Sequence, residues 1–207
     1  MPIFRYLALG DSYTIGESVS VEDRWPNQLA NLLEAEGIQT EVTIIARTGW
    51  TVDELWQGIQ VNPPGGIYDL VTLLIGVNNQ YRGYPANGYQ EDFRFMLGKA
   101  IEYAGGNPGH VVVLSIPDWG ITPFATDRDT KVISQQIDGF SAINLEESKF
   151  AGAHYVDVTA ISRNATNDST LIAPDGLHPS GKMYTMWAEA ALPIVRGILI
   201  SSKKEKL

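Results

Sequence analysis

Two stretches of this chain are apolar at almost every residue, and they constrain its fold more than any other feature. Residues 69–75 read DLVTLLI and residues 111–116 read VVVLSI. A strand with one wet face alternates apolar and polar side chains. A short run without that alternation, rich in β-branched residues, suits a strand covered on both faces, as in a parallel sheet. Shorter candidate strands fall at residues 4–9, 41–46 and 155–158. Segments of helical character lie between them. Residues 25–36 place Leu29, Leu32 and Leu33 at helical spacing before Gly37, residues 89–104 stop at Gly105 and Gly106, and residues 131–151 form a third. Thr51 and Glu54 have the spacing of a capping box and open a short helix to about Ile59. Residues 63–66 (PPGG) read as a loop. Ser180 is a candidate N-cap for a last helix that Pro193 should kink.

Five strands alternating with helices predict an α/β protein: a three-layer α/β/α sandwich around a five-stranded parallel sheet with right-handed crossovers. The 207 residues carry no repeat and no linker, so residues 1–207 are read as one domain. In such sheets the ligand site lies outside the carboxyl ends of the strands. The residues to inspect are therefore those that follow each strand.

Composition removes several function classes. Asp and Glu number 24 against 15 Lys and Arg, for a net charge of −9, which argues against a nucleic-acid partner. The one basic cluster, Lys203, Lys204 and Lys206, reads as a solvated end. There is no cysteine, so disulfides, thiolate catalysis and Cys-ligated metals are excluded. The apolar residues 183–200 contain Glu189, Pro193 and Arg196 and make a poor membrane span, so no integral membrane segment is expected. Residues 4–9 are too short for a secretory leader and hold Arg5. A cytoplasmic protein is the expectation, and oligomeric state is left open.

The segments after the strands are polar or glycine-bearing in every case. They are Gly10-Asp11-Ser12-Tyr13, Arg47-Thr48-Gly49-Trp50, Gly76-Val77-Asn78-Asn79, Pro117-Asp118-Trp119-Gly120 and, past a longer loop, Asp175-Gly176-Leu177-His178-Pro179. Acyl transfer needs a nucleophile, a base, a group that orients the base, and donors for the oxyanion. Ser12 supplies a hydroxyl at a strand-to-helix turn. Of the three histidines, His110 and His154 fall at strand starts, and only His178 falls at the functional edge. Asp175 precedes His178 by three residues, an offset that lets its carboxylate take one ring nitrogen. Gly49 offers a backbone N–H and Asn78 a side-chain amide. Each residue also has a plain reading: Asp11 or Ser12 as helix caps, Gly49 and Asn78 as turn residues, His178 as a surface loop histidine. Five turns mimicking one site in order is the less economical account.

These blocks resemble the SGNH hydrolases, also called GDSL esterases and lipases. The matching residues are Gly10-Asp11-Ser12, Gly49, the G-x-N of Gly76 to Asn78, and the D-x-x-H of Asp175 to His178, spanning nearly the whole chain. The resemblance implies a flavodoxin-like SGNH fold and a serine ester hydrolase. It implies Ser12 as nucleophile, His178 and Asp175 as its triad partners, and the Ser12 N–H, Gly49 N–H and Asn78 side chain as oxyanion hole. Tyr13 stands where the family has leucine, and Asn79 where it usually has aspartate. No cofactor and no metal are expected, and a small-molecule ester is the expected partner. Tyr13, Trp50, Asn79, Trp119 and Leu177 are candidates to line the substrate pocket, with Tyr81 and Tyr84 beside them. Small or single-chain esters are favoured because no insertion is long enough for a large lid.

The alternatives are weaker. A carbohydrate O-acetylesterase on the same triad is the main one, because aromatic side chains also stack on sugars. A silent binding module comes next. No G-x-S-x-G elbow is present. Residues 176–182 imitate a P-loop, but Met183 stands where its Ser or Thr would hold magnesium. An Asp11 phosphatase would need a second aspartate where Tyr13 stands.

Overall fold

The computed structural model describes residues 3–205, with the side chains of residues 203–205 excepted. The tail lysines Lys203, Lys204 and Lys206 therefore fall outside the described side chains. Five strands form one parallel sheet in the order β2-β1-β3-β4-β5. They are β1 (Phe4–Gly10), β2 (Thr40–Ala46), β3 (Leu70–Leu74), β4 (Val111–Leu114) and β5 (His154–Val156). Every residue of β3 and β4 is buried, as their unbroken apolar runs require. At the sheet's edge, β2 is only half-buried, apart from an exposed Glu41.

Helices cover the sheet. The long ones are α2 (Trp25–Ala35), α3 (Val52–Val61), α5 (Ala86–Tyr103), α6 (Thr130–Ala151) and α8 (Gly181–Glu205). α2 packs on α8, while α5 packs on both α3 and α6. The capping box at Thr51 and Glu54 is formed in full. α5 starts a turn earlier than its apolar pattern suggests, because Pro85 serves as N-cap and presets the entry to the helix. α8 continues on both sides of Pro193. By length and composition α8 is apolar enough to cross a membrane. Its Tyr184, Trp187, Ala188, Ala191, Val195 and Leu199 are nevertheless buried in the core.

Three short helices have too few residues to show a period: α1 (Ser12–Ile15), α4 (Val77–Tyr81) and α7 (Thr159–Ser162). All three open just after a strand, and α1 and α4 place the chemistry. Gly10 pairs with Ala46 on one side and Leu74 on the other. The exits of β1, β2 and β3 thus lie side by side, which sets Ser12, Gly49 and Asn78 at one edge. His110 and His154 sit at the opposite ends of β4 and β5, and His110 Nε2 pairs there with the Ser202 hydroxyl at 3.2 Å.

Candidate active site

The turn out of β1 is tight enough to require glycine. A Cβ on Gly10 would lie 2.4 Å from the Leu74 carbonyl oxygen and 2.2 Å from the Thr14 hydroxyl. Asp11 then caps α1, its Oδ1 accepting from the Tyr13 N–H at 3.0 Å. Asp11 is fully buried, and burial pushes its carboxyl up to about 7, against backbone hydrogen bonds that pull it down. Ser12 is the first residue of α1, so its N–H has no acceptor within the helix. The residue is 5% exposed, and among the described residues its hydroxyl has no hydrogen-bond partner.

The second component comes from the loop before α8. Asp175 Oδ2 meets His178 Nδ1 at 2.7 Å, and Asp175 Oδ1 accepts from the N–H groups of Leu177 at 2.9 Å and His178 at 3.0 Å. Gly176 makes this turn possible at φ +75°, a conformation that disfavours other residues. Partial burial pushes the Asp175 carboxyl up. Hydrogen bonds from Ser18, His178 and the two backbone N–H groups outweigh that and hold it below the usual carboxylate range. The carboxylate therefore stays charged and keeps the proton on Nδ1, leaving Nε2 able to accept. The His178 ring is nearly buried and rests against the ring of Tyr13, centroid to centroid 5.5 Å, with Trp187 behind it at 6.3 Å from Tyr13.

Ser18 is a component that sequence reading misses. Its hydroxyl donates to Asp175 Oδ2 at 2.6 Å across 157 positions of chain, from a left-handed backbone conformation of φ +65°. Nothing local marks it as a partner of the aspartate.

Gly49 and Asn78 complete the edge. Gly49 takes φ +88°, and open space surrounds the position a Cβ would occupy, so it is backbone conformation that calls for glycine here. Asn78, the second residue of α4, donates one amide hydrogen to the Trp50 carbonyl at 2.9 Å, which orients the amide beside Gly49.

Ser12, His178, Gly49 and Asn78 all line one cavity of about 190 Å³. Its remaining walls are mostly apolar: Tyr13, Val77, Tyr81, Trp119, Phe124 and Leu177. The Tyr81 and Trp119 rings meet edge-on at 5.4 Å and Phe124 meets Trp119 at 6.0 Å, while Trp119 Nε1 donates to Gln80 Oε1 at 2.8 Å. Tyr13, Trp119, Leu177 and Tyr81 thus share the cavity with Ser12 and His178.

Three of the expected residues do not line this cavity. Asn79 is fully buried and turned toward α3, with Oδ1 accepting from the Val52 N–H at 3.1 Å. Trp50 lies over Gly58 of α3, where any Cβ would be 2.1 Å from its ring, and lines a separate open cleft of about 580 Å³. That cleft carries Arg47, Gln57 and Arg82 and adjoins the first cavity at Thr48 and Gly49. Tyr84 is exposed and lines neither. Phe124 lies on a 3₁₀ turn after β4 and is a wall residue that no motif announces. Among the described residues, no three His, Asp or Glu side chains group as metal ligands do.

Fold and site together define a three-layer α/β hydrolytic enzyme. The pattern of the GDSL-like lipase/acylhydrolase family matches residues 8–186, and the chain belongs to that family. Solved structures agree on the fold. A member of the lipolytic protein G-D-S-L family from Veillonella parvula superposes with a TM-score of 0.72 at 16% identity, covering 94% of this chain and 99% of the other. TesA gives 0.69 at 19% identity over 94% and 99%. The acetylxylan esterase Axe2 from Geobacillus stearothermophilus gives 0.72 at 18% identity over 93% and 94%. No curated protein matches the chain by sequence.

Proposed function

We propose that this hydrolase cleaves carboxylic esters of small or single-acyl-chain substrates, with Ser12 as nucleophile, His178 as general base and Asp175 as the group that orients His178. The observation that carries this reading is the pairing of Asp175 Oδ2 with His178 Nδ1 at 2.7 Å, on a histidine that shares its cavity with an unpartnered serine hydroxyl. His178 Nε2 takes the Ser12 proton as Oγ attacks the ester carbonyl. The imidazolium so formed is stabilised by the Asp175 carboxylate. The carbonyl oxygen becomes an anion, and the N–H groups of Ser12 and Gly49 and the Asn78 amide are the donors available to it. His178 then returns the proton to the leaving alkoxide. Water attacks the acyl-serine by the same route in reverse, with His178 again as base.

Cavity size supports the substrate class. About 190 Å³ with aromatic walls suits a short acyl chain rather than a bulky one. A second reading, a carbohydrate O-acetylesterase, draws support from the adjoining cleft of about 580 Å³, where Arg47, Gln57 and Arg82 offer hydrogen bonds to a hydroxyl-rich leaving group. One experiment separates the two. Rates are measured on p-nitrophenyl esters of increasing acyl length and on acetylated sugars, beside Ser12→Ala. The main reading expects activity on short and medium acyl chains that falls with length and vanishes in Ser12→Ala. A marked preference for sugar acetates over simple acetates favours the second. Full activity in Ser12→Ala overturns both.

A further inference from the structure

The oxyanion donors proposed above come from three segments that share no secondary structure, and one of them is a glycine with little to hold it. Gly49 has no side chain to pack, and nothing lies within 4 Å of where a Cβ would be. Its peptide orientation must be fixed by hydrogen bonds. One is the turn that the Trp50 N–H closes on the Arg47 carbonyl at 3.2 Å, and the others come from α4. Arg82, at the C-terminal cap of α4, donates from Nη2 to the Gly49 carbonyl oxygen at 2.6 Å. The same guanidinium forks onto Glu54, Nη1 to Oε1 at 3.0 Å and Nη2 to Oε2 at 3.1 Å. Glu54 is itself fixed, because its Oε2 accepts from the Thr51 N–H at 3.0 Å as part of the capping box of α3. One residue along, Asn78 holds the Trp50 carbonyl, and Asn79 holds the Val52 N–H.

We propose that Arg82 is a positioning residue for the oxyanion hole. It rests on the serine-esterase reading and gives the Gly49 donor its direction. Arg82 grips the Gly49 carbonyl while anchored on Glu54. The Gly49 carbonyl belongs to the same peptide as the Trp50 N–H, which closes the turn on the Arg47 carbonyl, so Arg82 and that bond together hold the far side of the turn whose near side presents the Gly49 N–H beside the Asn78 amide. A planar fork suits the task, since it reaches a carbonyl and a carboxylate together, which a lysine does not. The Arg82–Glu54 pair is more than a third exposed on the arginine side, so its direct contribution to folding is small. Its effect is expected in the rate, because a donor displaced by about 1 Å loses much of its transition-state interaction.

Arg82→Ala, Arg82→Lys and Ser12→Ala are assayed with wild type on p-nitrophenyl acetate, with and without added guanidinium at millimolar concentration. Thermal unfolding is followed in parallel. The expected result for Arg82→Ala is a kcat lowered on the order of 10- to 100-fold, a KM within about twofold of wild type, little change in melting temperature, and partial recovery of kcat with guanidinium. Arg82→Lys should fall between. An unchanged kcat in Arg82→Ala overturns the proposal. So does a rise in KM alone, which would make Arg82 a substrate contact. A joint loss of kcat and melting temperature without rescue also overturns it, by showing a purely structural role. Ser12→Ala keeps the two ideas apart: if it is inert while Arg82→Ala behaves as wild type, only the role of Arg82 fails, and if it is fully active the esterase reading itself fails.

Discussion

Asp175 holds His178 from two sides. Its Oδ2 takes the ring at Nδ1 and its Oδ1 takes the backbone N–H of the same residue, at 2.7 and 3.0 Å. The histidine is therefore fixed in both position and tautomer by one carboxylate three residues away. A general base must be unprotonated to act, so kcat/KM should fall in acid, and Asp175, held below the usual carboxylate range, is not the source of that fall. The expected profile falls with unit slope in acid. The buried Asp11, raised to about 7, is the other group near Ser12 that could produce such a limb. Asp11→Asn separates them, and the limb should survive that change. Its disappearance in Asp11→Asn would assign the titration to the wrong group.

Ser12→Ala and His178→Ala should each remove nearly all ester hydrolysis, and the double variant should be little slower than either single one. The three groups act as a unit, so their losses do not add. Rates in the double variant that fall by the product of the two single losses would show independent roles.

Ser18 connects strain with catalysis. Its backbone at φ +65° costs about 1 kcal/mol for a residue with a Cβ, and its hydroxyl shares Asp175 Oδ2 with the histidine. Ser18→Ala and Ser18→Gly both delete the hydroxyl, so both should lower kcat by a few-fold, since the exposed carboxylate takes up water in its place. They should differ in stability. Glycine tolerates this conformation and alanine does not, so Ser18→Gly should be the more stable in urea by about 1 kcal/mol. Equal activity to wild type in both variants would leave Ser18 without a role at the aspartate.

Asp11 makes stability depend on pH. Its folded value of about 7 lies above the ordinary carboxylate value near about 4. Between those limits the folded chain keeps a proton that the unfolded chain has lost, so the contribution of the neutral form is full in acid and is lost as pH rises through 7. Asparagine keeps the oxygen that accepts from Tyr13 and never ionises. Asp11→Asn should match wild type near pH 4 and exceed it at pH 8, by on the order of 1–3 kcal/mol in denaturant unfolding. A gain of the same size at both pH values would mean the carboxylate is not the cause.

Much of this architecture is legible in the chain because burial leaves a local trace. β3 and β4 announce themselves as unbroken apolar runs, and Gly10-Asp11-Ser12 and Asp175-x-x-His178 fall where a parallel sheet places its site. Other features leave no such trace. Ser18 reaches Asp175 across 157 positions through a left-handed turn, and nothing around it in sequence specifies that approach. Arg82 looks like any surface arginine until β2 and α4 come together. Trp50 and Asn79 sit beside motif residues, yet Trp50 turns onto Gly58 of α3 and Asn79 onto the Val52 N–H, contacts that no local pattern marks. α1 and α4 are shorter than the window in which a 3.6-residue period can be seen.

The two adjacent asparagines offer the sharpest test of the oxyanion geometry. Asn78 lines the cavity, and one of its two amide hydrogens is spent on the Trp50 carbonyl, which leaves the other for the substrate oxygen. That bond strengthens as the oxygen becomes an anion, so its loss should appear in kcat rather than in KM. Side-chain donors in comparable sites are worth on the order of 10²–10³ in rate. Asn79 is buried away from the cavity, and its Oδ1 accepts from the Val52 N–H at the first turn of α3. A carboxylate oxygen can accept that bond equally well, and the helix N-terminus favours its charge. Asn79→Asp should therefore keep kcat within a few-fold of wild type, while Asn78→Ala loses about two orders of magnitude or more. Both are measured on one activated ester, with melting temperatures taken to confirm folding. If Asn78→Ala turns over at the wild-type rate while folded Asn79→Asp is inert, the side-chain donor of the oxyanion hole is not Asn78.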